Sequence, residues 1–195
     1  MAVWTWMMCA ALLLSGISPA YLDEMDSPQT RVNQIRYEIP QSLRDEVLLI
    51  AHYEEFPEDP EASPARKRLI SDHNARARHA NAILQKILDK HYPYPYKLVD
   101  LTEVNILARQ GGQFYLDLAM LPKKTDQPRP ETMAPTYERY VSSLQMYSNN
   151  FDEFQFYFYI RNLRNDNAYF PKVAKGYDDA EKGMKDFLKR VAKSL

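Results

Sequence analysis

Along residues 154–161, "FQFYFYIR", apolar and polar positions alternate: Phe154, Phe156, Phe158 and Ile160 fall on one parity and Tyr157 and Tyr159 on the other. A period of two predicts a strand with the phenylalanines inward and the tyrosines outward. Residues 114–120, "FYLDLAM", repeat the alternation, with Phe114, Leu116, Leu118 and Met120 opposite Tyr115, Asp117 and Ala119. Between 71 and 91 the period changes. Ala80, Ile83, Leu84, Ile87 and Leu88 recur on one helical face, Ser71 or Asp72 is placed to cap, and "YPYPY" at 92–96 ends the helix. At the C-terminus Ala180, Met184, Phe187, Leu188, Val191 and Leu195 form a second helical stripe opposite lysines and arginines, with Asp178 or Asp179 as cap, acids first and bases last as a helix dipole favours.

The segments between are less regular. In "KLVDLTEVNILA", Val99 and Leu101 share one parity while Val104, Ile106 and Ala108 share the other, so a strand here requires a one-residue bulge near Thr102 and Glu103. "QGGQ" at 110–113 then reads as a tight hairpin turn joining two antiparallel strands, because glycine accepts the positive φ such turns require. "EVLLIAHY" fits a short helix, capped by Ser42 with Asp45 behind it, or a buried strand, and the pattern does not separate the two. Residues 21–40 are polar and read as loosely held. Residues 54–65, "EEFPEDPEASPA", and 122–135, "PKKTDQPRPETMAP", are proline-rich and read as loops.

Composition changes this picture at the N-terminus. Residues 1–20 carry no charge, contain the run "MMCAALLLSGI" and end in "SPA", which predicts a secretory signal removed before Tyr21. The apolar run is too short for a bilayer span. The single cysteine, Cys9, lies in that segment, so the mature chain is expected to be disulfide-free and to have neither a thiol nucleophile nor a cysteine metal site. Residues 21–65 hold eleven acids against three arginines, a balance of −8, and residues 66–195 hold fifteen acids against twenty-two bases, a balance of +7. An acidic arm beside a basic body follows from that division.

Little in the chain points to catalysis. His52, His73, His79 and His91 form no ligand pair at helical spacing, and there is no phosphate-binding glycine loop, no nucleophile elbow and no close carboxylate pair outside the proline-rich loop. No enzyme activity, cofactor, metal or nucleic-acid partner is expected. "ARKRL" at 65–69 has the consecutive bases of a convertase site, although a solvated turn accounts for it as well.

The order of helix "ARARHANAILQKIL", then "YKLVDLTEVNILARQGGQFYLDLAML", then "FQFYFYI", resembles the cystatin pattern of helix, strand, Gln-x-Val-x-Gly turn and strand across about residues 70–165. The resemblance implies an α+β fold, a cystatin-like antiparallel sheet wrapped on one long helix, with an extra C-terminal amphipathic helix. It divides the chain into a signal (1–20), an acidic proline-rich arm (21–65), a cystatin-like domain (66–175) and the terminal helix (176–195). By this resemblance the chain is a secreted, extracellular binding protein, and a papain-like cysteine protease is the implied partner. The implied binding residues are Leu107, Ala108, Arg109, Gln110, Gly111 and Gly112 in the first turn and Arg161 and Arg164 in the second. Leu and Arg stand where the family has Gln and Val, and the second turn has no Pro-Trp, so the inhibitory loops are degenerate. A signal, a cystatin-like region and a cationic C-terminal helix together also resemble the cathelicidins, which implies a host-defence role at a membrane surface through residues 178–195. A non-inhibitory extracellular interaction module is the third reading.

Overall fold

The computed structural model describes residues 32–123, 127–130, 133 and 154–195. The expected signal with Cys9, residues 21–31 of the arm and half of the 122–135 loop lie outside the described residues. By its contacts the chain divides into two units, one containing 53–84 and the other 29–52 with 85–195.

All the strands belong to the larger unit. They are β1 (Ile35–Arg36), β2 (Leu48–Ala51), β3 (Tyr96–Val99), β4 (Phe114–Pro122), β5 (Phe154–Asn162) and β6 (Ala168–Tyr169), in the spatial order β1-β6-β5-β4-β2-β3. The helices are α1 (Pro64–His91), α2 (Leu101–Arg109) and α3 (Ala180–Ser194), and a short 3-10 turn covers Gln41–Arg44. The fold is therefore α+β with a long helix and a C-terminal helix. Its sheet is mixed: β4 pairs with β5 and β5 with β6 antiparallel, but β2 is parallel to both β3 and β4, and β1 is parallel to β6. The sheet is therefore not the antiparallel one expected.

The main correction falls on the expected hairpin. Residues 101–109 are helical, and β4 takes β2 and β5 as neighbours. Val104, Leu107 and Ala108 already stand at helical spacing, so the parity break read as a bulge marks a change of period. The glycine pair closes this helix. Gly111, at φ +110°, donates its N–H to Ala108 O (3.2 Å), and Gly112 donates to Leu107 O (2.8 Å), which is the hydrogen-bond pattern of a Schellman cap. A Cβ on Gly112 would lie 2.9 Å from Leu107 O and 3.0 Å from a Leu49 methyl carbon, so both glycines are required, one for conformation and one for space.

Other boundaries move for local reasons. α1 begins at Pro64, with Ser63 Oγ accepting from the Arg66 N–H (3.3 Å); the Ser-Pro pair read as loop is a cap followed by a first-turn proline. The "ARKRL" bases therefore lie in the first turns of a helix. "LLIA" resolves as strand β2, and Ser42 sits inside the 3-10 turn. Residues 32–40 are not loosely held, since β1 pairs with β6 and Val32 and Ile39 are buried.

Both sheet faces in this unit are covered, which corrects the orientation expected for the tyrosines of β5. On one face Tyr157 and Tyr159 pack with Ala119, Leu121, Met133, Ala168 and Phe170. Farther along it, Val104 and Leu107 of α2 pack with Leu49, Val99, Tyr115 and Leu163. On the opposite face Phe158 meets Tyr177 and Phe187 at ring-centroid distances of 6.4 and 6.2 Å, and α3 buries Gly183, Phe187, Leu188 and Val191. Asp179 caps α3 by accepting the Lys182 N–H at 2.7 Å.

In the smaller unit an extended stretch lies along α1. The Asn81 amide bonds both the N–H and C=O of Tyr53, at 2.8 Å each, and the Asn74 amide does the same for Phe56, at 2.8 and 2.9 Å. Seven residues of helix rise about 10.5 Å and three of extended chain about 10 Å, so the spacing of the two amides matches that of the extended stretch.

Candidate functional site

The two turns that the sequence marked out lie side by side. β4 and β5 pair from Phe114↔Asn162 to Pro122↔Phe154, so the end of α2 and the turn after β5 meet at one end of this ladder. Leu163 N–H donates to Gln113 O (2.7 Å), and the Arg164 guanidinium reaches Gly111 O at 3.4 Å. Of the expected binding residues, Arg109 and Gln110 are exposed, Leu107 and Ala108 are partly buried, and Gly111 and Gly112 supply the turn itself. Ile106, which the sequence did not single out, is 55% exposed on the same helix end.

Arg161 departs from the expectation. It is 3% exposed and points into the sheet face that carries Tyr115, Asp117 and Tyr159. Its Nε and Nη2 donate to Asp166 Oδ1 at 3.0 and 2.6 Å, and its Nη1 lies 4.0 Å from Asp117 Oδ2. Asp117 accepts the Tyr159 hydroxyl at 2.7 Å and the Leu118 N–H at 2.8 Å. Burial opposes the charge on Arg161, but the Asp117 carboxylate and the bond to Asp166 more than offset it and hold the guanidinium above its ordinary value. Burial raises the Tyr159 and Tyr115 hydroxyls, and the Asp117 charge adds to both shifts. Arg161, Asp117, Tyr159 and Asp166 are engaged with one another and the buried hydroxyls stay neutral, so the cluster anchors the turn that carries Arg164.

A second constellation was not legible in the sequence because its members are 48 positions apart. His52 and Asp100 each follow directly on a parallel strand, β2 and β3, and His52 Nε2 pairs with Asp100 Oδ1. The carboxyl ends of parallel strands are where open α/β sheets bind ligands, and a carboxylate-oriented imidazole is a general-base arrangement. The side chains are 33% and 48% exposed. Among the described residues no group of three or more His, Cys, Asp or Glu side chains is placed to hold a metal, and no helix is long and apolar enough to cross a membrane.

Comparisons with family models, with curated proteins and with solved structures found no match to this chain.

Proposed function

We propose that this chain is a secreted binding protein without catalytic activity, and that its partner surface is the turn pair formed by residues 106–112 and 163–164. The observation that supports this reading is the adjacency of the two turns, with Arg164 bonded to Gly111 O and both ends fixed from within by the glycine cap and the Arg161–Asp166 pair. A loop surface held rigidly by its scaffold keeps the entropy cost of binding low. Ile106 supplies an exposed apolar contact, and Arg109, Gln110 and Arg164 are exposed polar side chains of the same turn pair. The uncharged apolar start of the sequence supports the secreted part of the reading.

Inhibition of a papain-like cysteine protease is the specific activity that the same adjacency favours, since two neighbouring turns at one end of a sheet make a wedge. Arg161, turned inward, adds no charge to that wedge. With a helix in place of the expected hairpin, the cystatin-type reading draws on the turn pair and not on the strand order. Titration of a papain-like enzyme tests it: inhibition weakened tenfold or more by Gly111→Trp and by Arg164→Glu is the expected result, and no inhibition at micromolar protein removes this activity. The non-catalytic part is tested separately. Turnover of ester, phosphoester or peptide substrates that disappears in His52→Ala would overturn it.

A further inference from the structure

The outward face of α3 carries a charge pattern that its docking on the sheet does not use. Lys182, Lys185, Lys189 and Lys193 are all exposed. At 100° per residue they fall within an arc of about 80°, and they span about 16 Å along the helix axis. No ion pair engages any of the four among the described residues, whereas Asp186 on the flank is already held by Lys175 at 2.9 Å and by the Tyr177 hydroxyl at 2.7 Å. Glu181 lies on the other flank. Desolvation and then the charges of Lys189, Lys185 and Lys90 lower the pKa of His91 at the end of α1.

The ligand class follows from what accompanies these charges. The apolar side of α3 is committed to β5, and the exposed large hydrophobics among the described residues are Tyr37, Val47, Leu69, Ile106 and Val173, none of them on α3. A membrane-lying helix needs apolar area to insert, and single-stranded nucleic acid needs aromatic platforms, so neither finds its usual complement here. A row of ammonium groups without either suits a linear polyanion held by charge alone.

We propose that the lysine row Lys182, Lys185, Lys189 and Lys193, flanked by Lys90 and His91, is a docking surface for a linear sulfated polysaccharide. The choice of a sulfated sugar over duplex nucleic acid rests on the secreted reading above; the row itself does not. Binding of the full chain to immobilised heparin, to duplex DNA and to vesicles rich in phosphatidylserine is compared at several salt concentrations. The expected result is preferential heparin binding that weakens on the order of 50- to 150-fold between 50 and 200 mM salt, as release of counterions by four lysines implies. Lys185→Glu with Lys189→Glu abolishes it, the Lys→Arg pair retains it, and the exposed pair Arg66→Glu with Arg68→Glu leaves it unchanged. In the parent chain, added heparin also raises the His91 pKa, read by the NMR titration of its ring protons before and after binding. Unchanged heparin affinity in the Lys→Glu pair, or a fixed His91 pKa on binding, overturns the proposal. Tighter binding to DNA or to vesicles than to heparin overturns the ligand class. Intact-mass analysis of secreted protein independently tests the secreted reading.

Discussion

Replacing Asp166 separates the charge that anchors the second turn from the backbone that shapes it. Asp166 sits at φ +54°, a conformation that asparagine adopts readily and alanine does not, and its Oδ1 takes two hydrogen bonds from Arg161. The Arg161 side chain is 4% exposed and that of Asp166 17%, so the pair is screened far less than a surface ion pair. Breaking a buried pair costs roughly 3–5 kcal/mol when the remaining charge is left alone. Here Asp117 stays 4.0 Å from the guanidinium, and the neutral amide of the asparagine variant would still accept one hydrogen bond, so Asp166→Asn should cost about 2 kcal/mol. Asp166→Ala loses that bond as well and places a residue that cannot bond locally in the left-handed region, for a total of about 4 kcal/mol. Urea unfolding followed by far-UV circular dichroism measures both. A loss below about 0.5 kcal/mol for Asp166→Asn, or equal losses for the two variants, would refute the assignment of Arg161 as a buried anchor.

Gly111→Ala introduces no contact within 4 Å and should cost only backbone strain, about 1–2 kcal/mol; Gly112→Ala drives a Cβ onto Leu107 O and should cost about 1–3 kcal/mol, both read by chemical denaturation. Gly183→Ala gains helix propensity yet places its Cβ 2.7 Å from the Tyr177 ring, so α3 is expected to loosen and the thermal midpoint to fall; an unchanged midpoint contradicts the docking of α3. Asn74→Ala with Asn81→Ala should expose residues 53–63 to limited proteolysis, while equal cleavage of variant and parent would show that the amides do not hold that stretch. Burial and its bond to Asp186 raise the Tyr177 hydroxyl to about 12 from an ordinary 10.0, so its stabilising contribution is intact below pH 10 and lost as pH rises toward 12. Tyr177→Phe should flatten that alkaline loss in pH-dependent unfolding. Asp186 carries the opposite sign, since its bond from Tyr177 and the nearby cations lower it, and its contribution is lost only as acid titrates through that lowered value.

Elements whose pattern is local were legible. The alternation of 154–161 gave β5, and the apolar stripe of 180–195 gave α3 with its cap and buried face. The pairing of β2 with β3 and β4 left no local trace, because parallel neighbours are chosen by what lies between them in the chain, and four apolar residues in a row suit strand or helix alike. α2 was misread because alternation and helical spacing overlap in a nine-residue segment, and a glycine pair serves a hairpin and a helix cap equally well. Within the site, the two turn segments were singled out in the sequence, but the inward turn of Arg161 was not legible there. It shares a parity with Tyr157 and Tyr159, which read as solvent-facing until Val32, Met133 and Phe170, distant in sequence, cover that face. His52 and Asp100 were missed for the same reason, since each gains meaning only once two parallel strands end together.

The glycine pair decides what surface the first turn presents, and backbone NMR tests it most directly. Helical Cα secondary shifts across 101–109, with slow hydrogen exchange at the Gly112 amide, are the result expected of a capped helix beside Arg164. Extended shifts there, with cross-strand proton contacts between residues 104–108 and 115–119, would restore the hairpin and contradict the turn surface described above.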